Sequence, residues 1–164
     1  MSKPFLLRSA GLGLLVMFLV LSADQLSKFW ILYGLNLPEK GSVYVLPFLN
    51  FSMVWNHAVT FGLLGGVAGP FVFSAVALAV VCGLLVWMFK TSSRLIAVCV
   101  GAIIGGAIGN VIDRLRYGAV VDFLHAHAFG HSWYVFNIAD SAIVCAVGVL
   151  LLHNMRAGNK PQAT

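Results

Sequence analysis

Two of the five acidic residues in this 164-residue chain, Asp122 and Asp140, lie within residues 118–142, GAVVDFLHAHAFGHSWYVFNIADSA. Two carboxylates that lie close together can supply both the base and the acid of a hydrolysis. Their mutual repulsion raises one of the two pKa values, so that such a pair holds one shared proton. The elements that would bring the two residues together therefore decide whether this chemistry is possible.

Each of the two acids also has a simpler interpretation. Asn137 precedes an apolar run and Asp140 follows three residues later. Asn137 can therefore cap a helix while Asp140 lies in its first turn, near the positive end of the dipole. Asp122 is harder to explain, because GAVVDF has no basic neighbour within four residues of it. Arg114 or Arg116 could still pair with it in space.

The composition places the chain in a membrane. It is 60% hydrophobic and 9% charged, with a mean hydropathy of +0.96, whereas a soluble domain is about a quarter charged. The formal net charge of +5 comes from Lys and Arg residues that lie mainly beside apolar runs, without the basic face or aromatic ladder that binds nucleic acid. We therefore predict an α-helical integral membrane protein with no nucleic-acid partner.

The cysteines and histidines do not predict a metal site. The three cysteines each lie inside an apolar run without metal-ligand spacing, which favours small buried apolar residues. His125, His127 and His131 could converge on zinc. The chain has no HExxH motif, however, and a short histidine tract is weak evidence for a metal. We expect no metal and no cofactor.

Four apolar stretches approach the roughly 20 residues that span ~30 Å of hydrocarbon. The first is interrupted by Asp24, Gln25 and Lys28, which a span among other spans tolerates when its polar face points inward. We expect a retained helix, since FWILYGL continues the apolar pattern, although Lys3 and Arg8 before an apolar run are also typical of a cleaved signal peptide. The predicted transmembrane helices are residues 10–35, 67–89, 95–114 and 138–153.

Lys and Arg residues flank the four spans unevenly, and this bias predicts their orientation. Both termini should be cytoplasmic, so that residues 36–66 and 115–137 form the outer connections of a single membrane-embedded domain, residues 1–164. In the first connection, SVYVLPFLNFSMVWN is rich in Val and aromatic residues and predicts a small β element on the outer face. An interfacial aromatic belt is an equal alternative.

Polar residues from several of these segments should meet at the outer end of the helices. At 1.5 Å per residue, Asp24 lies ~21 Å along the first helix. Asp113 ends the third helix, Asp140 opens the fourth, and Asp122 lies between those two. Four of the five acids therefore gather at one membrane face. Asp24 and Lys28 have i, i+4 spacing and could serve only to neutralise one another.

A glycine repeat in the third span predicts how the helices approach one another. Gly101, Gly105 and Gly109 recur every four residues, which lets another helix pack closely. Asn110 and Arg114 lie beside that face. Packing would bring this polar cluster against a neighbouring helix at the outer boundary.

Five blocks of the sequence, in order, resemble the lipoprotein signal peptidase family, also called signal peptidase II. They are DQLSK at 24–28, WNHAVTFG at 55–62, GGAIGNVIDR at 105–114, VVDF at 120–123 and FNIADSA at 136–142. The resemblance covers nearly the whole chain from residue 24 to residue 143. In the second block, Ala58 stands where the family usually has Gly, two residues after Asn56, and the extra methyl group would alter the local backbone.

The resemblance implies an aspartic endopeptidase of the bacterial inner membrane that removes signal peptides from prolipoproteins. It implies four transmembrane helices with a β-rich cradle on the periplasmic side, cleavage before a diacylglyceryl cysteine, and inhibition by the antibiotic globomycin. The catalytic pair would be Asp122 and Asp140. The dipole at the helix N-terminus favours an ionised Asp140, which leaves the shared proton on Asp122. Supporting or substrate-contacting residues would be Asp24, Lys28, Asn56, Asn110, Arg114 and Asn137.

We expect a monomer whose partners are prolipoprotein substrates and membrane lipid, but two other classes of protein fit parts of the pattern. A transporter or proton relay keeps acids inside membrane helices, yet it predicts a polar path to the cytoplasmic side, where these spans have almost no ionisable residues. A structural scaffold would explain the glycine packing and predicts that neutralising Asp122 changes little. A presenilin-type protease is disfavoured, because the chain has no GxGD motif.

Overall fold

Four long helices form the framework of the chain in the computed structural model, which describes residues 3–57 and 68–158. Each of the four is long and apolar enough to cross a membrane. Together with a small antiparallel sheet, they confirm the predicted fold class. The helices are α1 (Lys3–Phe29), which continues as a π-helical turn (Trp30–Gly34), α3 (Ala68–Lys90), α4 (Arg94–Tyr117) and α5 (Ile138–Gly158).

Three of the helices extend by more than one residue beyond the bounds that hydropathy indicated, and the first of them begins at Lys3 rather than Ala10. The last helix reaches Gly158 rather than His153, and the third reaches Tyr117 rather than Arg114. Apolar composition marks the part of a helix that suits hydrocarbon, whereas backbone hydrogen bonding continues into the polar region beyond it. Helix α4 ends where Gly118 adopts a φ of 71°, a left-handed conformation that glycine reaches without a steric penalty.

Helix α4 is the centre of the bundle and packs against α1, α3 and α5. Its glycines make this possible. A Cβ atom added at Gly105 would meet the carbonyl oxygen of Met17 in α1, and one added at Gly106 would lie 2.7 Å from the carbonyl oxygen of Ala139 in α5. Small residues at such positions allow backbones to approach closely. The predicted glycine packing is confirmed, and it brings the polar ends of three helices together.

The sheet has four antiparallel strands in the order β1–β2–β3–β4 and follows the short helix α2 (Leu37–Lys40) along the chain. The first two strands come from the first connection, as predicted. The other two come from the connection between α4 and α5, where no strand was predicted. The strands are β1 (Ser42–Leu46), β2 (Leu49–Asn56), β3 (Val120–Ala128) and β4 (His131–Ser132).

An apolar cluster fixes the sheet against the end of the first helix. Ile31, Leu32 and Leu37 pack there with Val121 and Phe123 of β3, and all five side chains are buried. Successive side chains of a strand point to opposite faces, so residue 122 faces away from this cluster. The cluster therefore determines where the carboxyl group of that residue points.

The close helix contact at Gly105 generates a stability prediction. Gly105→Ala should lower the free energy of unfolding by about 1–3 kcal/mol, because the new methyl group overpacks the contact with α1. Gly148→Ala in α5 is a matched control, since nothing lies within 4 Å of the Cβ atom that it adds, and it should preserve or raise stability. Thermal unfolding in detergent measures both. Equal effects of the two substitutions would contradict the packing argument.

Candidate active site

Asp122 is the third residue of β3 and is 1% exposed. It pairs with Val54 across the antiparallel ladder, and Asn56 lies two residues beyond Val54 in β2. This diagonal cross-strand position is within reach of a polar side chain. Nδ2 of Asn56 donates a hydrogen bond to Oδ2 of Asp122 at 2.9 Å. The sheet therefore brings together two predicted site residues from the two connections.

Asn137 links this strand to the start of α5. Its Nδ2 donates to Oδ1 of Asp122 at 2.7 Å, and its Oδ1 accepts the backbone N–H of Asp140 at 2.9 Å. The backbone N–H of Asn137 donates in turn to Oδ2 of Asp140 at 3.3 Å. The predicted helix cap is thus confirmed. The same side chain also contacts both predicted catalytic acids.

The position of Asn137 depends on the residue before it. Phe136 forms an isolated bridge with Leu124 of β3, and its N–H donates to the Leu124 carbonyl oxygen at 3.0 Å while its own carbonyl oxygen accepts the Leu124 N–H at 2.8 Å. The chain therefore returns to β3 after the β3–β4 hairpin and enters α5 beside Asp122.

Asn110 of α4 is the second amide that joins the two acids. Its Nδ2 donates to Oδ1 of Asp140 at 2.9 Å, and its Oδ1 accepts from Nδ2 of Asn137 at 3.2 Å and from Nζ of Lys28 at 3.1 Å. Asp122 and Asp140 therefore belong to one continuous hydrogen-bonded network. Neutral amides from α4, from β2 and from the residue before α5 hold its parts in place.

A buried group of charges lies behind this network. Nζ of Lys28 lies 2.8 Å from Oδ2 of Asp24 and 2.7 Å from Oδ2 of Asp113, and all three residues are at most 2% exposed. Nε2 of Gln25 donates to Asp24 at 3.2 Å and to Asp113 at 3.1 Å. The predicted Asp24–Lys28 pair is present, but it belongs to a larger cluster.

Asp113 and Gln25 were not among the residues predicted for the site. Asp113 belongs to the predicted cluster of four acids and lies four residues after Gly109, so the sequence contained a signal for it. Gln25 lies inside DQLSK, where only the two charged residues were singled out. Its role depends on helix packing that its spacing alone does not indicate.

Arg114 lies at the edge of the site and is half-buried. Its Nη1 donates to the carbonyl oxygen of Asn110 at 3.4 Å. Its charge also acts on Asp140, Asp113 and Asp122 through space. Neither predicted arginine partner binds Asp122, whose hydrogen bonds come from Asn56 and Asn137. The guanidinium of Arg116 instead lies 5.3 Å from the ring centre of Tyr117.

Two open grooves lead to the two acids. One, of about 530 Å³, includes Asp122, and the other, of about 300 Å³, includes Asp140. Trp133, whose side chain is 71% exposed, borders both grooves and was not predicted. The first is also lined by Val54, Asn56, Tyr134 and Val135. The second is also lined by Phe136, Ser141, Val144 and Cys145.

The environment of Asp122 favours its protonated form. Burial raises the pKa of Asp122 to about 6, and the neighbouring charge of Asp140 acts in the same direction. Hydrogen bonds donated by Asn56 and Asn137 oppose this rise, because they stabilise the ionised form. The net effect is a carboxylic acid that titrates near the pH of many enzyme assays.

The histidines of the sheet lie away from the two acids. Nδ1 of His125 lies 3.4 Å from Oγ of Ser52, and its ring contacts that of His127 edge to face. Within residues 3–57 and 68–158, no group of three His, Cys, Asp or Glu residues is arranged to hold a metal ion. Ala58, the departure noted in the second block, lies outside the described residues.

The comparisons with known proteins point to one family. The family model of signal peptidase II (SPase II) matches residues 16–156. A lipoprotein signal peptidase of Methylorubrum extorquens is 46% identical over 155 residues, which cover 93% of this chain and 90% of that protein. One of Rhodopseudomonas palustris is 46% identical over 154 residues, which cover 88% and 92% of the two chains.

Solved structures agree with the sequence relatives. A bacterial membrane enzyme solved by the in meso method at 2.3 Å superposes with a TM-score of 0.80 at 27% identity, covering 94% of this chain and 93% of that one. A second, solved at 1.9 Å, gives a TM-score of 0.78 at 29% identity, covering 93% and 95%.

The fold and the site define a multi-pass membrane protein with a cluster of acids and amides at one end of a helical bundle. The solved structures of similar fold are bacterial membrane enzymes. The chain belongs to the signal peptidase II family, and this membership makes it a protease that acts on prolipoprotein signal peptides.

The raised pKa of Asp122 predicts a pH-dependent stability difference. Because its pKa in the folded protein is about 6, above the ordinary 3.8, the protein takes up a proton on folding between these values, and wild-type stability falls as the pH rises through them. Asp122→Asn has no titrating group at this position, so its stability does not fall for this reason. The melting temperature of the variant minus that of the wild type should therefore increase between about pH 4 and pH 7.

Thermal unfolding in detergent across this range measures the difference. Val120→Ala, in the same strand, removes no titrating group and should differ from the wild type by the same amount at every pH. A difference for Asp122→Asn that is equally independent of pH would contradict the raised pKa.

Proposed function

We propose that this chain is an aspartic endopeptidase that cleaves the signal peptide from diacylglyceryl-modified bacterial prolipoproteins, before the lipidated cysteine. Asp122 and Asp140 are its catalytic residues, and it uses no metal or cofactor. The observation that carries the proposal is the side chain of Asn137, which donates to the carboxyl group of Asp122 and accepts the backbone N–H of Asp140. The backbone N–H of the same residue donates to Oδ2 of Asp140, so one residue contacts both carboxyl groups.

The two carboxyl groups have different surroundings, and this difference assigns their roles. Asp140 lies in the first turn of α5, where the helix dipole favours an anion. It also accepts N–H donors from Asn110 and Asn137. Burial raises the pKa of Asp122, so Asp122 carries the shared proton. A protonated carboxyl group beside an ionised one provides an acid and a base at the same pH.

The reaction follows from this assignment. Ionised Asp140 accepts a proton from a water molecule as the water oxygen attacks the scissile carbonyl carbon, and Asp122 donates its proton to the carbonyl oxygen. The tetrahedral intermediate then collapses as the carbonyl oxygen returns its proton to Asp122 and Asp140 gives its proton to the leaving amine. Both carboxyl groups end in their starting states, ready for the next substrate.

The other predicted residues support this pair. Asn56, Asn110 and Asn137 hold the carboxyl groups through direct hydrogen bonds. Asp24 and Lys28 form the buried ion pair behind them. Arg114 supplies positive charge at the edge of the site.

The grooves suit a substrate that is part lipid and part peptide. The groove at Asp140 includes Val144 and Cys145 of a membrane-spanning helix, so acyl chains can stay in the bilayer beside it. The groove at Asp122 includes Asn56 and Tyr134 and offers polar partners to a peptide. Lipid orients the substrate more than it drives binding, because acyl chains already in a bilayer gain little on transfer.

The uneven distribution of Lys and Arg residues on the two sides of the spans gives the orientation of the protein in the membrane. The protein lies in the bacterial inner membrane with both termini in the cytoplasm, so that the site faces the periplasm. It acts as a monomer and a single domain.

Loss of either carboxyl group should abolish cleavage. Asp122→Asn and Asp140→Asn should each lower kcat by roughly 10²- to 10⁴-fold, because each removes an acid or a base that the transition state requires. Glu39→Gln is the matched control, since it makes the same chemical change at an exposed acid in α2, and it should cleave like the wild type.

The assay follows a diacylglyceryl-modified prolipoprotein by gel shift with chelator present throughout. Size-exclusion chromatography shows that each variant is folded. Full activity in either folded Asn variant would reject the proposed pair, and loss of wild-type activity in chelator would reject the metal-free mechanism.

The lipid on the substrate should determine the rate. A prolipoprotein without diacylglycerol on its cysteine should be cleaved at least about tenfold more slowly than the modified form, because the bilayer no longer holds its scissile bond at the site. Steady-state cleavage of the two forms in the same lipid mixture measures this ratio. Equal kcat/KM values would contradict the proposed substrate class.

A further inference from the structure

Two buried carboxylates lie directly behind the proposed catalytic pair, one behind each member. Oδ2 of Asp113 accepts the backbone N–H of Val121 at 3.1 Å, and Val121 precedes Asp122. Oδ1 of Asp24 accepts the backbone N–H of Ala139 at 3.0 Å, and Ala139 precedes Asp140. The residue before each catalytic acid therefore donates its backbone N–H to a carboxylate on a membrane helix.

The two buried carboxylates are also joined to each other. Lys28 binds Oδ2 of both, at 2.8 Å from Asp24 and 2.7 Å from Asp113. Nε2 of Gln25 donates to both as well, and to the carbonyl oxygen of Gly109 at 3.3 Å. One turn of α1 thus connects Asp113, which binds β3, to Asp24, which binds α5.

The charge balance of the cluster indicates that it does more than neutralise a buried lysine. One carboxylate would be enough to neutralise Lys28, so charge balance does not explain a second carboxyl group at a position that is 1% exposed. A buried carboxyl group is costly in an apolar interior unless its hydrogen bonds are satisfied. At Asp113 these bonds come from Lys28, Gln25 and the backbone of β3.

We infer that Asp113 and Gln25 are positioning residues for the reaction. Together with Asp24 and Lys28 they form a rigid support that fixes the separation of the Asp122 and Asp140 backbones. This inference rests on the proposed function. The support lies behind the catalytic pair and lines neither of the two grooves that lead to it. Its loss should therefore lower kcat and leave KM almost unchanged, since a small displacement of catalytic groups has a large effect on rate.

The test compares two substitutions of Asp113. Asp113→Asn keeps an oxygen that can accept from Val121 and Lys28, and it loses only the hydrogen bond from Gln25. Asp113→Ala removes the acceptor. We expect Asp113→Ala to lose about tenfold or more in kcat with KM changed less than about twofold, and Asp113→Asn to keep kcat within about threefold of the wild type.

Ser9→Ala is the control for lost stability. The buried Oγ of Ser9 donates to the carbonyl oxygen of Ser92 at 3.0 Å, far along α1 from Lys28. This substitution also removes a buried contact between a side chain and the backbone, so its melting temperature should fall while kcat stays at the wild-type value. Thermal unfolding and cleavage of the diacylglyceryl prolipoprotein are measured for every variant.

Three results would overturn the inference. They are a kcat of Asp113→Ala within about twofold of the wild type, an equal loss in Asp113→Asn, and a comparable loss in Ser9→Ala. If Asp113→Ala does not fold, Gln25→Met is the deciding variant, because it removes all three hydrogen bonds of the Gln25 amide and leaves every charge in place. A kcat at least about threefold below the wild type with unchanged KM supports the inference, and an unchanged kcat overturns it.

The same assay separates this inference from the proposed function. An active Asp122→Asn would reject the catalytic pair itself. An inactive Asp122→Asn beside a fully active Asp113→Ala would reject only the support.

Discussion

A charged side chain inside an apolar helical bundle must have its charge and its hydrogen bonds satisfied by the protein, and Lys28 imposes this constraint on the whole structure. Its ammonium group takes Asp24 from its own helix and Asp113 from α4 as partners. The glycines of α4 let the two helices come close enough for these contacts. The same carboxylates then bind backbone N–H groups of β3 and α5, so the sheet and the last helix are positioned by this cluster.

Among the described residues, the proposed catalytic pair is held by amides rather than by direct ion pairs. This arrangement affects the pKa of Asp122. An arginine or lysine bound directly to Asp122 would favour its ionised form. Asn56 and Asn137 hold the same carboxyl group through neutral donors, so burial remains the largest influence and raises its pKa. An amide can also donate to one group and accept from another, which allows Asn137 and Asn110 to connect two acids without adding charge.

Features that depend on local sequence could be predicted, whereas features that depend on contacts between residues far apart in the chain could not. The four helices follow from the thickness of the bilayer, and the Asn137 cap follows from local spacing, so both were predictable. Strand β3 was not predictable, because its histidines and single acid do not form a strand pattern. It forms by pairing with β2, and the Asn56–Asp122 contact joins residues 66 apart in the chain. The bond from Asn137 to Asp122 depends on the bridge between Phe136 and Leu124, which no local pattern reveals. The links made by Gln25 likewise exist only after α1 and α4 have packed.

The most direct test of the central claim is a structure of Asp140→Asn with an uncleaved diacylglyceryl prolipoprotein bound in a lipid environment. The account predicts that the scissile carbonyl group lies between residues 122 and 140, with its oxygen within hydrogen-bond reach of the Asp122 carboxyl group and the acyl chains beside Val144. A substrate whose scissile bond lies away from both residues would contradict it.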